Sequence, residues 1–341
     1  MSEKRYEKVE LEKFGEQVFA HQSKLVDVYD RIDGISYQAG GHVIIPANGA
    51  RISSDCNETG YFKLCEKLGA PAGWMRTKNC PGDLEETIVN RLKKEVDGEY
   101  LFRLRQEPDG KVLRSVLTER YLTYNHWDLW LDAKQIFDRE GINQLKPVVW
   151  KPEVGDNLDM WILFNTVNAD PNTGEPQSYD GGGYGGLKPA VHIRNSEDGT
   201  GSVRIAGGMF RSYCTNGVIF GWKEEQRMRQ VHMGQRWAMK GYVWHALTLA
   251  MSNASKGIDL YIEATKTEIG QELDNIVKRW TSRYALSVET SKLWSKAVED
   301  AQPRTVADFV MATSDFAGYQ PRSITTTMEE MAGAMLEARQ L

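Results

Sequence analysis

Tyr100-Leu101-Phe102-Arg103-Leu104-Arg105, then Pro108-Asp109-Gly110, then Val112 to Leu117 is the stretch that decides the fold. Two runs rich in strand formers, joined by a Pro-Asp-Gly turn, read as an antiparallel hairpin. Further strand candidates follow at Met160 to Val167, Ala190 to Ile193, Ser202 to Ile205 and Tyr213 to Trp222, so residues 99–222 are β-rich. Before the hairpin, the first thirty residues read as a charged helix, and His42-Val43-Ile44-Ile45-Pro46 as a strand. Helical spacing covers Thr59 to Leu68 and Leu84 to Val96. From Glu224 onward the pattern is helical, in segments Glu224 to Ser252, Asp259 to Ala301 and Thr305 onward, broken at Pro303 and at Gly318 to Pro321. The expected class is α+β: a central antiparallel β-sheet and hairpin region flanked by N-terminal helices and a long C-terminal helical region. Three segments result: a mostly helical 1–98, a β-rich core 99–252 with a Gly-rich insert at 168–189, and a helical 253–341.

Composition narrows the function classes. Hydrophobic residues make up 41% and charged residues 26% of the 341, which excludes wholesale disorder. The net charge of -5 excludes a protein basic all over, but not one with a local basic groove. No run reaches the roughly 18–20 apolar residues of a membrane span, and the charged N-terminus lacks the apolar core of a secretory signal. A cytoplasmic protein without membrane contact is expected. Cys56, Cys65, Cys80 and Cys214 form no CxxC pair and match no zinc spacing, so no metal and no cofactor are assigned.

One stretch concentrates charge against that background. Arg204 to Lys240 holds seven Lys/Arg (Arg204, Arg211, Lys223, Arg227, Arg229, Arg236, Lys240) against Glu224 and Glu225, a local excess of five. On a helix, Arg229, His232, Arg236 and Lys240 would fall within about 80° of one another, flanked by Trp237 and Trp244. Such a ridge suits phosphates with exposed bases; it equally describes a solvated face whose cations pair with acids elsewhere. Other candidates have less support. Cys214 lacks a His at a spacing that joins it to a base, and Asn216-Gly217 reads as a tight turn. The Gly181 to Gly186 run lacks a P-loop ending, and Asp156 and Asp159 read as solvated rather than as Mg²⁺ ligands.

Two motifs resemble a family of phage- and plasmid-borne proteins catalogued as a domain of unknown function. Leu113-Arg114-Ser115-Val116-Leu117-Thr118-Glu119-Arg120-Tyr121 with Asn125 resembles its "LS-x-RY…N" segment. His192-Ile193-Arg194-Asn195-Ser196-Glu197-Asp198-Gly199, leading into Phe210-Arg211-Ser212-Tyr213-Cys214-Thr215-Asn216-Gly217, resembles its "NS-x-DG … R-x-x-CTNG" core. In layout the family is similar to phage single-strand annealing proteins, which pair a sheet with a long helix and assemble into rings or helical filaments.

The resemblance and the charge pattern together set the expectation of a non-enzymatic, homo-oligomeric single-stranded DNA-binding protein, promoting strand annealing in phage or plasmid recombination or replication. Its phosphate contacts would be Arg204, Arg211, Arg227, Arg229, Arg236 and Lys240, with Arg103, Arg105, Arg114 and Arg120 on an opposing wall. His232 lies within the basic segment, and Tyr121, Trp237, Trp127 or Trp244 would support bases. Two alternatives stand beside it. One is a structural or host-partner-binding protein using the stripe Ile269, Leu273, Ile276, Trp280, Tyr284 and Val288. The other is a nucleic-acid enzyme using Cys214 or the Asp156/Asp159 region.

Overall fold

The computed structural model describes residues 8–47, 49–77, 79–141, 147–164, 167–169, 176–178, 187–211, 216–219 and 229–338. The hairpin forms as expected. Strands β6 (Glu99–Glu107) and β7 (Gly110–Thr118) pair antiparallel across the two-residue connection Pro108-Asp109. The ladder is not regular, however: Arg103 faces Ser115 while Leu104 faces Leu113, so Arg114 is the extra residue of a β-bulge.

The chain is α+β, with two six-stranded sheets where one was expected. The hairpin belongs to a mixed sheet of order β2-β6-β7-β5-β4-β3, with β2 (Leu25–Arg31), β3 (Ser36–Gln38), β4 (His42–Ala47) and β5 (Ala50–Cys56). Residues 1–98 therefore supply four strands of this sheet besides their helices, and do not stand apart as a mostly helical segment. The alternating Leu25-Val26-Asp27-Val28-Tyr29-Asp30-Arg31 run pairs along its whole length with β6. Helices α2 (Glu58–Leu68), α3 (Ala72–Met75) and α4 (Gly82–Leu92) belong to this half, and residues of α2, α3 and α4 join its core. Asn57 caps α2 by accepting from the Gly60 amide at 2.7 Å.

The second sheet runs β1-β8-β9-β12-β13-β14, antiparallel throughout: β1 (Lys8–Glu10), β8 (Val148–Val154), β9 (Asn157–Leu163), β12 (Leu187–Ser196), β13 (Arg204–Arg211) and β14 (Asn216–Ile219). A short ribbon, β10 (Val167–Ala169) with β11 (Pro176–Ser178), is what the structure describes of the Gly-rich insert before β12. One core joins this sheet to α1 (Leu11–Gln22), α5 (His126–Arg139) and the N-terminal half of α6 (Arg236–Ala264). The C-terminal helical region is α7 (Leu273–Tyr284), α8 (Val288–Ala301), α9 (Val306–Gly318) and α10 (Arg322–Ala338), around a core of its own. The expected single helix Asp259 to Ala301 is thus interrupted twice; at the second break Ala285 adopts a left-handed conformation and Ser287 caps α8. Ile276 and Trp280 of the proposed partner stripe are buried in that core, with Ile269, Leu273 and Tyr284 packed against it; Val288 alone is strongly exposed.

Gly217 is not the turn residue its sequence suggests. It lies within β14, opposite Phe210, and a Cβ there would stand 2.2 Å from the buried Trp161 ring. Gly217→Ala should cost about 1–3 kcal/mol through overpacking, lowering the denaturant midpoint with an unchanged m-value. Trp161→Leu in the same chain should recover part of the loss; strictly additive losses would show that the ring is not the obstacle.

Candidate nucleic-acid interface

The turn after β12 is the point where the two sheets meet. Ser115 of β7 donates to the Asp198 carbonyl at 2.6 Å, and Glu197 enters the gap between the sheets with its side chain fully buried. Arg103 donates to the Glu197 carbonyl at 2.7 Å and forks onto Asp27 at 2.9 and 3.0 Å. Arg114, re-aimed by the bulge, donates to the Glu197 carboxylate at 2.9 Å and to Asp156 at 3.1 Å. Asp156 also receives Arg105 at 2.9 Å, and Arg105 pairs with Glu107 at 2.6 Å. The backbone amide of His126 and the ring of His21 complete the shell of Glu197, at 2.7 and 3.1 Å.

This corrects the second wall drawn from the sequence. Arg103 and Arg114 are fully buried and Arg105 is held by two carboxylates, so these three cations are committed to internal acids instead of a ligand. Tyr121 is likewise occupied: its ring stacks on His232 with centroids 5.0 Å apart, and its hydroxyl donates to the Ser196 carbonyl. His232 is itself buried and bonded to Asn195 at 2.9 Å. Arg120 alone of the hairpin set is exposed.

The helical ridge also resolves differently. Helix α6 begins at Arg236, so Arg229 and His232 precede it. Arg236 pairs with Asp128, and Lys240 with Asp132 at 3.2 Å and Gln135 at 2.8 Å, all on α5. Trp244 is half-buried beneath Arg139, 4.3 Å from its ring. Trp127 packs edge-on against Phe19. Arg227 and Cys214 lie outside the described residues; Arg211 is on β13, with its side chain outside them.

Arg204 and Arg229 meet in one cleft. Arg194 of β12 stands directly opposite Asp159 of β9 on one side and Arg204 of β13 on the other. The row across the sheet is therefore acid, arginine, arginine. Arg194 Nε reaches Asp159 at 3.2 Å, whereas Arg204 has no carboxylate partner among the described residues. Like charges facing each other across strands are destabilising unless a counter-charge lies between them. Arg229 lies in the same concavity, donating to Ser202 Oγ at 3.0 Å. The cleft measures about 400 Å³, and Asn157, Ser196, Thr200 and Ser202 line it with further polar atoms. The segment after Arg229 bridges to Val203 through Gln230 and to Tyr121 through Met233. It exposes Val231 and Met233 before reaching Trp237, which is 76% exposed.

Arg194 was missed by the sequence reading, although it sits within a quoted motif. Its only signal is the strand register, which pairs it with a residue ten positions later. Arg204 and Arg229, both within the basic stretch Arg204 to Lys240, line one cleft, although Arg229 precedes the helix on which it was placed. Comparison with family models, with curated proteins and with solved structures gives no match.

His21, His126 and Glu197 each bring one ligand atom within 4.8 Å of the others, a set that could in principle hold a cation. The lone pairs are already engaged: His126 Nε2 donates to the Gly155 carbonyl and Nδ1 accepts from the Asn195 amide, both at 3.0 Å. With Arg114 also on the carboxylate, the cluster is built as a hydrogen-bonded lock. Burial pushes His126 and His232 down to about 4. Burial alone would raise the Glu197 carboxyl, but His126, His21 and Arg114 hold it well below the usual carboxylate range. Between about pH 6.5 and 4 the unfolded chain therefore binds more protons than the folded one, and stability falls as pH falls. Each histidine contributes up to about 3 kcal/mol of that loss, with Glu197 adding to it below about pH 4.3. Denaturant midpoints at pH 7, 5.5 and 4.5 should decline steadily. His126→Gln should lower stability at pH 7 and flatten the decline; an unchanged pH dependence in that variant would contradict the assignment.

Proposed function

We propose that the protein binds single-stranded DNA along the edge that runs from the Arg194–Arg204–Arg229 cleft to Trp237, as a strand-annealing protein of a phage or plasmid recombination or replication system. The observation that carries the binding reading is the cross-strand row Asp159, Arg194, Arg204, which with Arg229 leaves three guanidinium groups against one carboxylate in a polar cleft. Phosphate oxygens suit that excess, and arginine forks suit their geometry. Base contact is supported by Val231, Met233 and Trp237, exposed in sequence beside the cleft. Annealing and the phage or plasmid setting are supported by the resemblance of the two motifs. No bond-making chemistry is asked of the site.

An assembly of copies belongs to the same reading, and a second surface has the chemistry for it. Leu11, Phe19, Trp127, Trp130 and Leu131 line an apolar groove of about 840 Å³ between α1 and α5, rimmed by Glu10, Glu12 and Glu16. The same groove favours the alternative of a partner-binding protein.

Fluorescence anisotropy with a labelled 30-nucleotide single strand tests the proposal. Affinity should fall between about 50 and 200 mM salt with a log–log slope near −2, for three phosphate contacts at about 0.7 each. Arg204→Gln with Arg229→Gln should weaken binding by about tenfold or more and flatten the slope. Trp237→Ala should lose about 1–3 kcal/mol at an unchanged slope. No binding at about 50 mM salt would end the reading.

A further inference from the structure

The row of charges specifies more than a generic phosphate. Among the described residues that line the cleft, Arg194, Arg204 and Arg229 against Asp159 leave a local charge of two positives. The neighbouring carboxylate, Asp198, is buried and does not itself line the cleft, accepting from Ser196 Oγ and from the Thr200 amide at 2.6 and 2.9 Å. An internal phosphodiester carries one negative charge and must leave the site at both ends of its chain. A terminal phosphomonoester carries close to two at neutral pH and offers three acceptor oxygens. The cleft is floored by β9, β12 and β13 and bounded by the Thr200–Ser202 turn on one side and Arg229 on the other.

From this match of charge and shape we infer that the cleft recognises the terminal phosphomonoester of a single strand, a refinement that rests on the nucleic-acid reading above. Arg204 is the central element, since among the described residues it meets no carboxylate and the strand register holds it against Arg194. The dianion bridges the two guanidinium groups and relieves their opposition across the ladder. Arg229, already fixed by Ser202, closes the third side. The strand then leaves past Val231 and Met233 toward Trp237.

The experiment compares oligonucleotides of one sequence with a 5′-phosphate, a 3′-phosphate, hydroxyls at both ends, or a 5′-phosphate masked as its methyl ester, on the full chain at fixed salt. One of the two phosphorylated ends should bind about tenfold or more tightly than the hydroxyl-ended strand. For a 5′ preference, the methyl ester should lose most of the gain because it carries one charge instead of two. In Arg204→Gln the ratio of phosphorylated to hydroxyl-ended affinity should fall toward one, beyond the loss of affinity common to both strands. Equal affinity for all four strands would overturn end recognition and leave the single-strand reading standing. No binding of any strand would overturn both. Competition by inorganic phosphate or a mononucleotide as effective as by the phosphorylated strand would also overturn it, because the site would then serve small phosphates.

Discussion

Glu197 is the residue on which the two halves of the molecule depend. Its carboxylate and its carbonyl draw Arg103 and Arg114 of one sheet onto the turn of the other, and its acceptors also take the His126 amide and the His21 ring. Two guanidinium groups taken wholly out of water are tolerable only with such partners, since desolvation costs several kcal/mol per ion. The consequence reaches beyond stability. Ser196 and Thr200 flank the anchored turn, and Arg194 and Arg204 occupy the strands leading into and out of it. The cleft inherits its geometry from the lock.

The same family of side chains is thereby sorted into two roles. Arginines that meet acids inside the protein hold it together; Arg194, which meets one carboxylate, and Arg204, which meets none among the described residues, line an open polar cleft. Arg236 and Lys240 fall between these sets. Their pairing with Asp128 and Asp132 on α5 forms a surface seam of the kind that contributes modestly to stability. A count of local charge sees five extra positives in Arg204 to Lys240, but the acids that cancel part of them lie about a hundred residues earlier.

Local pattern was enough for some of this architecture. The Pro-Asp-Gly hairpin and the helix over Thr59 to Leu68 were legible because turn chemistry and helical spacing act over a few residues. Burial of Arg103 and Arg114 was not, because alternation predicts which residues share a face and not what covers that face. The bulge at Arg114 breaks the alternation itself. Gly217 looked like a turn because the residue it accommodates, Trp161, is distant in sequence. The start of α6 was set too early: the described residues just before it, 229–235, are not helical and are bridged to Val203 and Tyr121. Of the arginines that line the cleft, Arg204 and Arg229 could be named from composition; Arg194 required the pairing of strands.

Helix α6, at 29 residues, spans about 43 Å as a single rod. Its first half is packed into the core of the β1–β14 sheet through Met239, Val243, Leu247 and Ala250, and its far end into the C-terminal core through Ile258 and Ala264. A lever clamped at both ends cannot tilt at one without disturbing the other. Any adjustment made by the segment carrying Arg229 to Met233 is therefore absorbed before the rod begins, or else is delivered across the molecule to the tail bundle.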